Sequence, residues 1–340
     1  MNRVMQFIGF AILIAFSLSP ANVLGAPRVV DCGKGQSIQH ALESAKGSAA
    51  NLEIIVTGYC DENLSIGRDR VAIDGQGVTT INGTVTMFGR NNVTIRNLDI
   101  TGPGEGIRIF GGRVRLLSVN FLGNDEIAIQ AQQDAAVVLR DSFVQRNKGL
   151  HAVLLRGSHA DIGSTEVSRN ADNGVVATDG STLLMSGGNV SFNVGTGVQV
   201  TGNSSFSIDG TQIHDNDNMG LFLGSGSSGE AMDATFNNNR SEGIFVSENS
   251  FINVFDSVIR NNTTDGMLLK LHSSARLVGV DVYSNIENGV RLEFDSGLLV
   301  EGGSTIPRNL SGYSILCDSD ESSLAIDDSS TVVDPECTAF

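Results

Sequence analysis

From mid-chain onward the sequence repeats one pattern of apolar and polar positions every 23 residues. Asn recurs at Asn124, Asn147, Asn170, Asn193, Asn216, Asn239, Asn262 and Asn285. Gly keeps the same interval at Gly174, Gly197, Gly220, Gly243, Gly266, Gly289 and Gly312, and Ser does so from Ser158 and Ser181 through Ser296 and Ser319. Counted from the Gly, the first and third residues are apolar, as in Val175 and Ala177, Leu221 and Leu223, or Ile244 and Val246. A second apolar pair follows the Ser (Leu183 and Met185, Phe206 and Ile208, Ile252 and Val254), and Val167, Val190, Ile213, Phe236, Ile259 and Val282 mark a third segment. Alternation with period two predicts strands, three short ones per repeat, and no segment within the repeat is long enough for a helix. A unit this thin cannot bury its apolar face alone, so successive units must stack. Three parallel strands per turn make an all-β solenoid, a parallel β-helix. Its coils exchange volume: where the second strand thins to Gly229 and Ala231, the third supplies Phe236.

The polar columns read first as architecture. Stacked Asn side chains bond along the axis, Gly accommodates positive φ, and Ser bonds the amides of its turn. Asp215 to Gly220 has the look of a calcium loop, but Met219 replaces a ligand and Gly226 stands where the final Glu belongs. No cofactor is therefore expected, and calcium is not indicated by a motif.

The two ends of the chain differ from its middle. Residues 1–25 combine Arg3, an apolar run from Phe7 to Leu18 and a small, polar stretch ending Val23-Leu24-Gly25, the pattern of a signal peptide. The run is short for a membrane span and nothing later reaches that length, so a secreted or periplasmic location is expected. Residues 26–50 read as an amino-terminal cap with a short helix, with Ser37 as its N-cap and Ile38, Ala41, Leu42 and Ala45 on one face. Residues 51–317 hold the β-helix, less regular through Ile54-Ile55-Val56, Val71-Ala72-Ile73 and Val93 to Ile100, and residues 318–340 lose the period and suit a carboxyl-terminal cap. Eleven or twelve coils of about 4.8 Å each predict a barrel ~55 Å long. Cys32, Cys60, Cys317 and Cys337 fall in pairs near the two ends. Three pairings are open, and the distance between the pairs favours one local disulfide at each end.

Composition narrows the partners. The 340 residues carry 22 Lys and Arg against 38 Asp and Glu, a net charge of −16, which argues against nucleic acid. The same excess repels an anionic polysaccharide unless cations or a local basic patch intervene.

The Asn ladder, the three-strand repeat and the amino-terminal start Gly35 to Ala45 together resemble the right-handed parallel β-helix superfamily of pectate lyases, polygalacturonases and carbohydrate-binding or sugar-hydrolase repeats. The resemblance implies a right-handed coil, an amino-terminal segment plugging the barrel, and a polysaccharide or cell-envelope glycan as partner. The Gly-His-Gly motif of polygalacturonases and the Asp-Pro-His motif of mannuronan epimerases are both absent.

Outward positions carry the candidate chemistry, and spatial neighbours there lie 23 apart. The second residue after the Gly gives a column of Val153, Val176, Gln199, Phe222, Phe245, Leu268 and Arg291, whose apolar middle is expected to face solvent as a ligand or partner surface. Two positions further along, stacking predicts a Lys270 to Glu293 pair, and then a His272 to Asp295 pair, beside Arg291 and one coil from Glu248. These five residues are the candidate catalytic group, able in principle to abstract a proton or to position an acid for glycoside cleavage. The competing reading is a cross-strand ladder of ion pairs. The chain therefore reads as a non-catalytic surface-recognition or structural module that binds carbohydrate, with a polysaccharide lyase or glycoside hydrolase as the alternative. Oligomeric state is not legible in the sequence.

Overall fold

The structure, a computed structural model, describes residues 26–48, 50–318, 322–326, 332–333 and 335–336. The segment 1–25 read as a signal, Ser319 of the Ser column, and Cys337 lie outside them. The chain winds as a parallel β-solenoid of about thirteen turns. In the regular part each turn has a three-residue first strand (Val198–Val200, Leu221–Leu223, Ile244–Val246), a five-residue second strand (Ser205–Asp209, Phe251–Phe255) and a three-residue third strand (Gln212–His214, Thr235–Asn237). Every strand pairs in parallel with its counterpart one coil away, so Leu221 meets Val198 and Ile244, and Phe236 meets Ile213 and Ile259. The inward columns named above are buried along the whole axis and form one continuous core.

The second ladder runs from Arg28–Asp31 to Ser323–Ile326, beyond 51–317 at both ends. At thirteen turns the barrel is ~62 Å long, somewhat more than expected from the periodic region alone. Coils before Asn124 are shorter, with Ile54 opposite Ile73 and Ile95 opposite Leu116, and their strands run continuously through bends, as in Val85–Thr101. A helix, α1 (Ile38–Glu43), lies at this end. Ser37 accepts a hydrogen bond from the His40 amide, and Glu62 accepts from the Ile38 and Gln39 amides and the Ser37 hydroxyl. Cys32 is bonded to Cys60 beside it. Cys317 is also disulfide-bonded, and no cysteine among the described residues is free.

The Asn ladder sets the coil. Asn216 donates its Nδ2 back to the Val190 carbonyl of the preceding coil and forward to Oδ1 of Asn239, while its own Oδ1 accepts from the Asn193 backbone amide and Nδ2. One buried side chain thus bonds three consecutive coils, and the same arrangement runs from Asn147 to Asn285, with Asn124, which only donates, and Asn309 at its two ends. The residue before the ladder Asn turns the chain through left-handed φ, at Arg146, Arg169, Phe192, Asp215, Asn238, Asn261 and Ser284. The Ser column forms a second ladder in which each backbone amide donates to the next hydroxyl, from Ser158 to Ser273.

Two columns act differently from the sequence reading. None of the glycines from Gly174 to Gly289 in the Gly column has positive φ. They are required by close approach: a Cβ at Gly220 would lie 2.5 Å from the Gly243 carbonyl oxygen and 2.8 Å from Nδ2 of Asn239. Volume is also exchanged along the axis as well as within a coil. Gly229 pairs with Phe206, whose ring occupies the space a Gly229 side chain would take.

Asn216→Asp removes two donors and sets a negative oxygen against Oδ1 of Asn239. It is expected to cost on the order of 3 kcal/mol in urea unfolding at neutral pH. Asn309→Asp, where the ladder ends and Nδ2 meets only the Pro307 carbonyl, is expected to cost less. Equal small shifts in the two midpoints would remove the ladder as the source of coil stability.

Candidate functional site

The outward column of the first strand is Leu154, Val176, Gln199, Phe222, Phe245, Leu268, Arg291 and Leu316. Val153 does not belong to it. His151 pairs with Asn173 at a step of 22, so Val153 faces inward between Ile129 and Val175. The apolar middle of the column is not uniformly solvent-facing either. Val176 is 4% exposed and Leu268 8%, whereas Gln199, Phe222 and Phe245 are half-buried. Coils only about 4.8 Å apart let long side chains shade short ones, and Val176 sits below Gln199 while Leu268 sits between Phe245 and Arg291. What remains accessible is an aromatic pair: the Phe222 and Phe245 rings lie 5.3 Å apart and tilted by 45°. Gly224 makes room for it, because a Cβ there would touch the Phe222 ring at 2.9 Å.

The charged residues assemble next to this column. Lys270 Nζ lies 2.9 Å from Glu293 Oε2, and Arg291 Nη2 lies 2.7 Å from Glu293 Oε1. Arg291 also donates from Nε to Asp318 Oδ2 at 2.7 Å. Two cations and two carboxylates therefore close on one another, with Glu293 holding a cation on each oxygen. Lys270 additionally lies over the Phe294 ring at 5.3 Å. His272 and Asp295 pair at 3.4 Å, but both stand on left-handed turn residues and are largely exposed, two residues beyond Lys270 and Glu293. Glu248 does not join the group and accepts a hydrogen bond from Ser225 instead.

Asp265, the residue before a column Gly, was not singled out by sequence. It is 1% exposed and accepts from the Asn288 amide and from Asn288 Nδ2 at 2.9 and 2.7 Å, while Asn288 Oδ1 accepts from the Tyr313 amide. Burial pushes the Asp265 carboxyl up to about 6 against these hydrogen bonds and the nearby Arg291. The signal available was the column itself, which reads Glu242, Asp265 and Asn288 in successive coils. A second set was missed for a different reason. Phe88 and Phe110 stack at 4.9 Å with rings 4° apart, and the buried Glu105 carboxylate takes Nε and Nη2 of Arg108 at 2.6 and 2.7 Å. These residues lie on the same outer face in the coils that precede the exact period.

The acids of the calcium-like stretch are otherwise engaged: Asp215 accepts from His214, Asp217 pairs with Arg240, and Asn216 belongs to the ladder. Cys32, Cys60 and Glu62 lie close enough to suggest a metal site, but the sulfurs are joined and the carboxylate caps α1.

Comparison with known proteins agrees with the fold. A family model described as a right-handed beta helix region matches residues 82–228 and 151–310. Among solved structures, the A-module of the Azotobacter vinelandii mannuronan C-5 epimerase AlgE6 superposes with a TM-score of 0.68 at 20% identity, covering 92% of this chain and 98% of that one. A mutant of the periplasmic alginate epimerase AlgG gives 0.65 at 12% identity, over 89% and 84% of the two chains. The catalytic domain of a GH87 alpha-1,3-glucanase in complex with tetrasaccharides gives 0.52 at 11% identity, over 90% and 69%. At these identities the likeness is one of fold. No curated protein matches the chain.

Asp265 supplies a test of the site's electrostatics. Its folded pKa lies above the unfolded value, so its protonated form is favoured by folding, and its contribution to stability is largest below about pH 4 and is lost as pH rises through 6. The stability of wild type relative to Asp265→Asn is therefore expected to fall by about 2 kcal/mol between pH 4 and pH 7. Urea midpoints of the two proteins across that range check it, and a constant difference would show that Asp265 titrates normally.

Proposed function

This chain belongs to the right-handed β-helix family, and on that premise we propose that it recognises a polysaccharide along its first sheet without cutting it. The observation that carries the proposal is the closure of the charged group. Glu293 is held on one oxygen by Lys270 and on the other by Arg291, and Arg291 also bonds Asp318, so the Glu293 carboxylate at the centre of the group is not a free base. A general acid or base needs a proton position open towards the substrate. Beside this group the Phe222 and Phe245 pair offers an apolar platform for a sugar ring, with Gln199 one coil away to bond hydroxyls. The proteins of like fold named above act on or are bound to polysaccharides, which supports the same ligand class. The Cys32–Cys60 bridge fits an oxidising compartment, in keeping with a secreted or periplasmic protein. No helix among the described residues is long and apolar enough to cross a membrane. The division proposed is a signal over 1–25, a cap over 26–50, the β-helix over 51–317 and a second cap over 318–340, with the ladder strands Arg28–Asp31 and Ser323–Ile326 falling within the two caps.

One observation favours catalysis as a second reading. Asp265 has a carboxyl pKa of about 6 beside Arg291, the range in which an acid exchanges its proton near neutrality. At 1% exposure it reaches substrate only if the surrounding turn moves.

The two readings separate by turnover. The purified protein is incubated with neutral and acidic polysaccharides, with and without calcium, while bound polymer, unsaturated product and reducing ends are followed. Binding without product is expected, and Phe222→Ala combined with Phe245→Ala is expected to weaken it about tenfold. Lys270→Ala should leave binding largely intact. Product that disappears in Lys270→Ala or Asp265→Asn would overturn the proposal in favour of an enzyme, and failure to bind any polymer would overturn both.

A further inference from the structure

The early coils and the later ones differ sharply in charge. Residues 26–123 carry 10 Lys and Arg against 9 Asp and Glu, whereas residues 124–340 carry 11 against 29. Within the balanced part the cations gather on an arginine face. Arg113 and Arg115 lie on the outward side of one strand of the second ladder, where Arg115 meets Thr94 and Val138 and Arg113 meets Ala136, so none of these neighbours is an acid. Both arginines are exposed, with neither an ion pair nor a side-chain hydrogen bond among the described residues. Arg90, one coil earlier and opposite Gly112, joins no ion pair among them either, and its Nε is buried without a partner. Of the nearby acids, Glu105 is spent on Arg108, Asp74 on Arg96, and Asp69 on the Asn91 amide, while Asp134 stays exposed. This face adjoins the Phe88 and Phe110 stack. Phe110 precedes Arg113 by three residues, ~10 Å of extended chain. The bend between them is Gly111-Gly112, and Gly89 makes the same bend after Phe88, all at left-handed φ. Phe88 is 57% exposed in spite of its stacking partner. A corner of a solenoid is convex, so these rings and guanidinium groups share an outward edge and do not line a groove.

We propose that this corner docks the barrel on an anionic lipid surface, with the Phe88 and Phe110 rings entering the headgroup layer and Arg113 and Arg115 bonding lipid phosphates. Guanidinium matches phosphate through paired hydrogen bonds, and basic side chains close to an anionic leaflet each add to the attraction. Apolar rings beside such cations bury their edges at the boundary of headgroups and acyl chains. The geometry of the stack favours this partner over a sugar. The two rings are nearly parallel and spend a face on each other, unlike the Phe222 and Phe245 pair tilted by 45°. A convex edge also suits a fluid surface, which moulds itself to the protein, better than a rigid partner that must supply a matching hollow. The charge of the whole chain sets the orientation. The acid-rich coils lie further along the axis and are repelled, so the barrel tilts with its early coils down, and the repulsion is screened beyond ~10 Å at moderate salt.

The corner uses none of the residues of the first-sheet reading, so the two stand or fall separately. The chain contains no Trp, and Phe88→Trp therefore places a single reporter at the corner. On vesicles of equimolar phosphatidylcholine and phosphatidylglycerol at low salt, its emission is expected to shift to the blue and to be quenched by brominated acyl chains. Phe143→Trp, at an exposed ring on the third strand, is expected to show neither. In co-sedimentation with the same vesicles, Arg113→Ala with Arg115→Ala is expected to lose at least about tenfold in partitioning, with an unchanged urea midpoint because both side chains are exposed. Arg156→Ala with Arg240→Ala changes net charge equally elsewhere and should have little effect. Absence of vesicle binding, equal binding to phosphatidylcholine alone, equal loss in the two double arginine variants, or binding without a blue shift would each overturn the proposal. Dimerisation without lipid that Arg113→Ala with Arg115→Ala abolishes would do so too, by assigning the corner to a second copy of the chain.

Discussion

The hydrogen-bonded column of buried asparagines is the constraint on which the rest of the molecule depends. Each amide has two donors and an acceptor to satisfy away from water, and the only groups within reach are those of the coils on either side. A coil in which the Asn did not come back to this position would leave both its own amide and its neighbours' unpaired, and an added residue is tolerated only where the chain recovers the position, as between Asn285 and Asn309. The requirement fixes the period, and the period fixes everything placed relative to it. Before Asn124, where the column has not begun, coil lengths vary and strands run long; from Asn124 to Asn285 the column steps by 23 each time, and only its last step, to Asn309, is one residue longer. The glycines answer the same constraint from the other side, since the backbone of one coil approaches the Asn amide of the next too closely for any side chain.

This explains which features could be read from the sequence. Three columns in exact register named the solenoid, its three strands and its core, and a pair such as Lys270 and Glu293 followed directly from counting 23. Exposure was harder to read. Val176 and Leu268 point outward as alternation requires, yet they are buried, because exposure depends on the reach of the side chains above and below. Val153 was misplaced by a single-residue slip that the Asn column does not show, since the extra residue is recovered before the next Ser. Asp318 enters the charged group from beyond the period, and Asp265 acquires its character from burial, a property of three dimensions. The Phe88 and Phe110 stack and the arginine face lie in the early coils, where no fixed interval exists to count.

Charge is distributed over the surface unevenly in a way that composition conceals. Cations elsewhere on the barrel commonly stand opposite an acid one coil away, as Lys148 does with Asp125 and Arg276 with Glu301, so that the solenoid neutralises itself along its axis. Against that background the informative positions are the exceptions. A closed set such as Lys270, Glu293, Arg291 and Asp318 has little left to offer a ligand electrostatically, whereas Arg113 and Arg115 keep their full hydrogen-bonding capacity.

Because every ladder bond joins a residue to its equivalent in an adjacent coil, the barrel has a natural quantum of length. Excision of one whole coil would bring Asn193 opposite Asn239 and Ser204 opposite Ser250, identical partners in identical geometry, while excision of any fraction would strand both columns at once. Such a molecule changes length in whole steps, by loss or duplication of a coil, and its surface is therefore assembled like type in a line: each step inserts or removes three outward segments together, and moves every site beyond it by one rise of the helix and no rotation of the faces.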